Sequence, residues 1–394
     1  MSRRRASRLL SLSYESRMLV VLALGWGTLQ CGRFLLPPLL PRITETLAFS
    51  PAGIGAALTA FGLIYAITQY PSGTYSDSLS RATLILPGFV ILLAGFVAVG
   101  FAVTQLLFVV AVLVLGIGKG LYASPSRALL GDLFTTRRGL ALGIYSTGTD
   151  VGGLIAAGLA VLVLGTTTWR AAFLPVVVVL AAVTVLYVLW NREPYELSRV
   201  RLSPGETVGR LVATRAQRET LVAFAVFYFF VGGLTNFFPT LLVAGGFSET
   251  IGGASFALLF GTGALTKPVA GEVSDRFPRL LVGAAGLVLA MFGLALVLVA
   301  STLSIVAVGT VLTGVGYKTQ FPIADTVVMD TAPDGAMGSD IGAARAVFLT
   351  ANALGPGIVG IIAEVTDFQT AFWVLAGSLL ISVGLLGRQY LRER

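Results

Sequence analysis

Twelve long apolar runs dominate this chain of 394 residues and restrict the folds it can adopt. A helix that crosses a bilayer needs about 20 apolar residues, whereas a transmembrane strand needs about ten and alternates apolar with polar side chains. The runs have the helical length and do not alternate. They lie at about 18–40, 52–75, 82–103, 105–128, 139–164, 169–190, 220–242, 252–274, 280–300, 303–328, 341–363 and 369–387. The sequence therefore predicts an all-α polytopic membrane protein with 12 transmembrane helices.

The composition supports this class and excludes several functions. Charged residues make up only 12% of the chain, against about 25% in soluble domains, and the mean hydropathy is +0.88. The chain has no histidine and one cysteine, Cys31, so we expect no metal site, no intramolecular disulfide and no His-based catalytic residues. It also lacks a G-x-x-x-x-G-K-[ST] loop. We therefore expect no cofactor and no enzymatic activity.

The arginines predict the orientation, because short cytoplasmic loops retain basic residues. Both chain ends and alternate short loops are rich in arginine, so both termini are expected in the cytoplasm of a multi-pass protein of the cell membrane. The basic start, MSRRRASRLL, precedes an apolar run without a small-residue cleavage site, which indicates a retained first helix. The net charge of +8 follows from this topology, so we expect contact with membrane lipid and no nucleic-acid partner.

A polar stretch divides the apolar runs into two groups of six. The predicted organisation is a cytoplasmic tail at 1–17, a first six-helix bundle at 18–190, a cytoplasmic linker at 191–219, a second bundle at 220–387 and a tail at 388–394. The two bundles also match each other in sequence. An offset of 198 residues superimposes the first members of three pairs on the second: Gly73 and Gly271, Asp77 and Asp275, Arg81 and Arg279. The same offset relates Asp132 to Asp330, which indicates an internal duplication.

The matching segments read GTYSDSLSR, from Gly73 to Arg81, and GEVSDRFPR, from Gly271 to Arg279. With this G-x-x-x-D-x-x-x-R motif in both halves, the chain resembles the major facilitator superfamily of secondary transporters over nearly its whole length. The resemblance implies two pseudo-symmetric six-helix bundles that work by alternating access. The first motif departs from the family at Ser78, where a basic residue is usual, while the second has Arg276 at that place.

The resemblance also implies a role for the charged motif residues. Two equivalent clusters, Asp77, Arg81, Asp132 and Asp275, Arg279, Asp330, would clasp the cytoplasmic face when the transporter is open to the outside. The alternative is that these residues serve only folding and topology.

Several charges lie near the middle of apolar runs, where an unpaired charge costs from roughly 3 to more than 10 kcal/mol. They are Arg33, Asp150 and the only three lysines of the chain, Lys119, Lys267 and Lys318. By resemblance the first, fourth, seventh and tenth helices line the central cavity. Arg33, Lys119 and Lys318 lie on three of these helices, and the seventh offers Tyr228 and Asn236. The excess of cations favours an anionic substrate.

Structural roles for the same charges remain open. Lys119 would pair with Asp150 on the next helix, and Lys267 would reach the cytoplasmic rim or Glu272. Arg33 would reach outer water. Asp150 has a second role to consider, because a buried carboxylate is the natural proton carrier in a chain without histidine.

These observations favour a secondary transporter for a small organic or inorganic anion. Two other functions remain: a proton-coupled exporter of amphipathic drugs, and a membrane sensor that binds its ligand without moving it. The expected partners are the small-molecule substrate, lipid, and either a coupling ion such as a proton or a counter-substrate. We expect a monomer.

The offset of 198 residues also aligns Arg127 with Asp325, on two helices that meet across the pseudo-twofold axis in this family. We predict that they form an ion pair between the bundles on the cytoplasmic side. The alternative is that each residue is held within its own half. Arg127→Asp and Asp325→Arg should each reduce transport about tenfold or more, as expected for a coupling of 1–3 kcal/mol, and the double swap should restore it in a flux assay. A double swap as inactive as the single variants would contradict the pair.

Overall fold

The computed structural model describes residues 13–135, 138–164, 168–196, 214–331 and 337–392. For some residues in these ranges the structure describes the backbone but not the side chain. Asp77, Asp275, Asp325 and Asp330 are among them.

The described residues form helices and no strand, so the all-α prediction is confirmed. A 3₁₀ turn at Trp169–Ala172 precedes the sixth helix. The helices of the first half are α1 Tyr14–Leu47, α2 Pro51–Ser78, α3 Ala82–Gly100, α4 Gln105–Leu133, α5 Arg138–Leu164 and α6 Phe173–Trp190. Those of the second half are α7 Arg215–Ala244, α8 Glu249–Arg276, α9 Arg279–Leu298, α10a Leu303–Lys318, α10b Gln320–Thr331, α11 Met337–Val365 and α12 Phe368–Arg392.

Ten helices of the described ranges are long and apolar enough to cross a membrane. The two predicted spans that are missing from this set are α8, which small and polar residues interrupt, and the tenth helix, which is divided. Large apolar side chains such as Leu162, Leu174 and Leu189 are exposed on the outside of the bundle, as expected where lipid replaces water.

The division of the tenth helix corrects the prediction of one continuous span at 303–328. Thr319 separates α10a from α10b. Pro322 has no backbone N–H and cannot donate to the carbonyl of Lys318, four residues earlier, so the helical ladder is interrupted there. The break therefore follows directly after one of the three lysines.

Serine and threonine side chains define several helix starts. The Ser50 hydroxyl accepts from the Gly53 amide, and Thr104 and Ser248 do the same for Leu107 and Ile251. Such caps satisfy backbone amides that lack a helical partner. They explain why short loops suffice between these long helices.

The sequence repeat reappears in the packing of the helices. Gly95 in α3 lies against Leu115 in α4, and Gly293 in α9 lies against Thr313 in α10a. The offset of 198 residues relates both members of these pairs. A Cβ atom at Gly293 would lie 2.4 Å from the Thr313 amide nitrogen, so this contact requires glycine.

The start of α1 and the end of α12 lie on one side of the bundle. Arg17 near the start of α1 lies over the Trp190 ring at the end of α6, and Glu219 near the start of α7 pairs with Arg392 at the end of α12. We refer to this as the terminal side and to the opposite one as the far side.

The two halves approach each other closely on the far side. Arg42 at the end of α1 pairs with Glu249 at the start of α8, with 2.9 Å between Nε and Oε1. The Ala52 amide donates to Glu364 at 2.8 Å, where α2 meets α11. Gly360 in α11 lies against the Pro51 carbonyl, because a Cβ there would be 2.3 Å from that oxygen. Far-side closure thus depends on backbone contact between α2 and α11.

Gly360→Val should weaken this closure. Overpacking costs roughly 1–3 kcal/mol, which raises the population of the far-side-open state about tenfold. The measurement is the rate at which a membrane-impermeant thiol reagent, applied from the far side, modifies Leu58→Cys in a Cys31→Ala background. Gly377→Val is the matched control, since a Cβ at Gly377 meets nothing within 4 Å. Equal rates in both variants would contradict the prediction.

Candidate functional site: a basic cavity between the halves

A cavity of about 300 Å³ lies between the two halves, near the middle of the helices. Helices α1, α2, α4 and α5 line it from the first half, and α7, α8, α10a, α10b and α11 from the second. Gln69, Arg127 and Arg345 continue the lining toward the terminal side. Because the far side is closed, the cavity is directed toward the terminal side.

Six basic side chains line this cavity, three from each half. No aspartate or glutamate among the described residues joins them in the lining. The six are Arg33, Lys119 and Arg127 from the first half and Lys267, Lys318 and Arg345 from the second. The wall of the cavity is therefore strongly positive on both sides of the interface.

Arg33 and Lys119 contact aromatic rings instead of acidic side chains. The Lys119 ammonium lies 4.1 Å from the centre of the Tyr65 ring, and Arg33 lies 4.4 Å from that of Phe34. Within the described ranges neither cation has a carboxylate within 4 Å. A cation–π contact supplies about 0.5–2 kcal/mol, less than the roughly 3 to more than 10 kcal/mol that burial costs. Both cations thus retain a strong attraction for an anion.

Asp150 connects the halves through two lysines. It lies on α5, and its Oδ2 accepts from the Nζ of Lys267 on α8 at 2.6 Å, while its Oδ1 accepts from the Nζ of Lys318 on α10a at 2.9 Å. The Asp150 side chain is 10% exposed and that of Lys318 only 4%. Each oxygen of one carboxylate therefore serves a different ammonium of the opposite half.

This geometry corrects two of the structural roles considered for the lysines. Lys119 does not pair with Asp150, because Lys119 lies against Tyr65 of α2 while Asp150 is directed across the interface. Lys267 does not pair with Glu272, whose partner is Arg276. Reasoning from neighbouring helices in the chain missed both contacts, since the partners belong to opposite halves.

Asn236 and Tyr228 line the cavity from α7, as the sequence predicts. The Asn236 amide donates to the Gly232 carbonyl at 2.7 Å, which fixes its orientation. The Tyr228 ring stacks on Phe348 of α11, with 5.1 Å between centres and 9° between planes. Aromatic side chains of the second half thus contribute to the cavity lining.

Most other cavity residues were not predicted from the sequence, among them Arg345, Gln30, Trp26 and Asn352. Arg345 is the single basic residue of its apolar run, and this position is the signal that could have identified it. Gln30 and Asn352 carry no comparable signal. The side-chain oxygen of Gln30 is buried without a hydrogen-bond partner among the described residues.

The motif residues lie on the terminal side, away from the cavity. Arg81 and Asp132 are in contact, with 3.0 Å between Nε and Oδ2, and Arg81 also donates to the Ser76 hydroxyl at 2.9 Å. Gly73 lies in α2 near Ser124, Gly271 lies in α8, and Arg279 begins α9. The side chains of Asp77, Asp275 and Asp330 lie outside the described residues.

Arg127 packs within its own half, 5.1 Å from the centre of the Trp26 ring and 5.7 Å from that of Tyr145. The side chain of Asp325 lies outside the described residues, so the Arg127 to Asp325 pair stays a prediction. In the described part of the chain, no cluster of three acidic, histidine or cysteine side chains could hold a metal ion.

Comparisons with known proteins agree with this architecture. A family model described as the Major Facilitator Superfamily matches residues 22–265 and 220–393. A hexuronate transporter of Bacillus subtilis is 24% identical over 392 residues, which cover 89% of each chain. A probable nitrate transporter of Staphylococcus haemolyticus is 20% identical over 305 residues, 76% of this chain and 75% of that one.

A shorter sequence match and a match to a solved structure point to the same family of folds. A probable sulfoacetate transporter of Cupriavidus necator is 28% identical over 171 residues, 43% of this chain and 40% of that one. A bacterial homologue of the human lysosomal transporter Spinster, solved in an inward-facing and occupied conformation, superimposes with a TM-score of 0.85 at 19% identity. That match covers 98% of this chain and 99% of the homologue.

Lys318→Met should destabilise the protein, because it leaves the buried Asp150 with one partner instead of two. Breaking a buried ion pair costs about 3–5 kcal/mol, and the remaining bond to Lys267 should hold the loss near the lower value. Adding Asp150→Asn should recover at least about 1 kcal/mol of the free energy of unfolding, which a double-mutant cycle in detergent measures. Independent, additive effects would contradict the coupling.

Proposed function

Because this chain belongs to the major facilitator superfamily, we propose that it moves a small anion, organic or inorganic, across the cell membrane by alternating access. As a secondary transporter of this family it is not an enzyme. The substrate would bind in the central cavity between the two halves.

The observation that supports an anion is the set of six basic side chains lining the cavity. Two of the six, Lys119 and Lys318, are buried, and positive charge within membrane-spanning helices is unfavourable unless water or an anion compensates it. Arginine binds carboxylates and phosphates with two parallel hydrogen bonds, while lysine acts as a point charge. Since three of the cations belong to each half, a bound anion would attract both halves toward itself.

The names of the relatives agree with this substrate class. Hexuronate, sulfoacetate and nitrate, the compounds named for three of them, are all anions. They differ in size, and two of them are organic. The relatives therefore support an anion without selecting one.

We further propose that the terminal side is cytoplasmic, because described arginines of short loops and helix ends, such as Arg81, Arg279 and Arg392, lie there. The cavity of this structure would then be open to the cytoplasm and closed to the outside. The pairs at Arg42–Glu249 and Ala52–Glu364 would separate when the transporter opens outward. The Arg81–Asp132 cluster would hold the cytoplasmic face in that state, and Asp150 is the candidate for coupling to a proton.

The test is uptake of labelled glucuronate, sulfoacetate and nitrate into proteoliposomes that contain the purified protein. At least one should accumulate above protein-free vesicles. Lys119→Gln and Arg33→Gln should each lower its uptake about tenfold or more, which corresponds to a loss of about 1.4 kcal/mol of binding.

Arg388→Gln is the control, because Arg388 is an exposed terminal-side residue whose replacement removes one positive charge outside the cavity. Flux of lipophilic cations without any anion flux would overturn the proposal in favour of a drug exporter. Tight anion binding without flux would overturn it in favour of a sensor.

A further inference from the structure

Asp150 belongs to the first half, but both of its ionic partners belong to the second. At 2.6 and 2.9 Å, each ammonium group donates one hydrogen bond to the carboxylate. The pairing has no equivalent in the sequence repeat, since the offset of 199 residues that aligns Gly139 with Gly338 and Gly143 with Gly342 places Leu349 at the position of Asp150. Asp150 therefore has no acidic counterpart in the second half.

The two lysines face the substrate space, while Asp150 approaches them from another direction. Lys267 and Lys318 line the central cavity. Asp150 and Lys267 line a second space, a crevice of about 380 Å³ between α5 and α8. The ammonium groups therefore lie between a carboxylate of the protein and the cavity proposed to bind an anion.

We propose that Lys267 and Lys318 form a carboxylate subsite, which Asp150 occupies as a tethered counter-anion until the transported carboxylate replaces it. The proposal rests on the anion-carrier function proposed above and specifies its substrate class. Lysine ammonium groups sit on flexible four-carbon stems, so both can turn from Asp150 toward an anion in the cavity.

The bonding pattern matches a carboxylate and disfavours a halide. Each oxygen of Asp150 accepts from one ammonium group, so two oxygens on one carbon match the spacing of the two lysines. A transported carboxylate can reproduce both hydrogen bonds, and a halide ion offers no such pair of acceptors. The first-half cations Arg33 and Lys119 remain available for the rest of the substrate or for a second anionic group.

Exchange of the counter-anion couples binding to the conformational change. While Asp150 holds both lysines, α5 is tied to α8 and α10a across the interface. A substrate carboxylate that takes over the lysines removes this tie and leaves the halves joined through the substrate. Differential contacts of this kind are what allow a ligand to shift a conformational equilibrium.

The experiment compares binding of glucuronate, acetate and chloride to the purified full-length wild type and to Asp150→Asn by isothermal titration calorimetry. Without the competing carboxylate, the Kd of Asp150→Asn for glucuronate should fall about tenfold, and that for acetate should fall as well. Chloride binding should change little. Asp150→Glu retains the counter-anion and should stay near wild type, and Glu45→Gln controls for the change in net charge.

Unchanged or weaker glucuronate binding by Asp150→Asn would overturn the proposal, and so would equal tightening for chloride. If neither protein binds glucuronate or acetate, the carboxylate subsite is wrong, although nitrate uptake would still support an anion carrier. Should Asp150→Asn fail to fold, Asp150→Asn/Lys267→Gln is compared with Lys267→Gln. Both proteins then keep Lys318 as the one ammonium group of the subsite, with Asp150 present in only one of them. The double variant should again bind glucuronate more tightly.

Discussion

The cost of placing a charge inside a membrane governs the centre of this protein. A buried cation is stable only beside a counter-charge, an aromatic face, water or a ligand. The structure uses two of these solutions in different halves: Lys267 and Lys318 share the carboxylate of Asp150, while Lys119 lies against Tyr65. Because the aromatic contacts recover only part of the cost, Lys119 retains an attraction for an anion, whereas Lys267 and Lys318 of the second half are partly neutralised across the interface by Asp150 of the first.

The symmetric framework and the asymmetric charges have separate roles. Glycine contacts such as that of Gly293 with Thr313 repeat between the halves and determine how closely the helices pack. The charges do not repeat in this way, because the offset that relates the halves places Lys119 opposite Tyr317, one residue before Lys318. Duplication therefore accounts for two similar bundles, and departures from it account for a cavity whose two walls differ in chemistry.

Proline connects the sequence to the shape of the cavity. A proline cannot donate to the carbonyl four residues earlier, which weakens the helix at that point. Pro37, Pro239, Pro322 and Pro356 free the carbonyls of Arg33, Thr235, Lys318 and Asn352, and all four of these residues line the cavity. Each of these helices thus lacks one backbone hydrogen bond at the level of the cavity. Among the described helices, α1, α7 and α11 continue through their prolines, and the tenth helix is divided.

The sequence by itself determined the helical class, the membrane setting, the internal repeat and the positions of the buried charges along their helices. These properties follow from the length and polarity of local segments, which need no knowledge of neighbours. Only the tertiary structure decided which charges meet. Asp150 and its two lysines lie more than a hundred residues apart on helices of opposite halves, and their contact depends on how the halves are rotated against each other. Periodicity within a helix cannot report that rotation, because it arises from packing between helices.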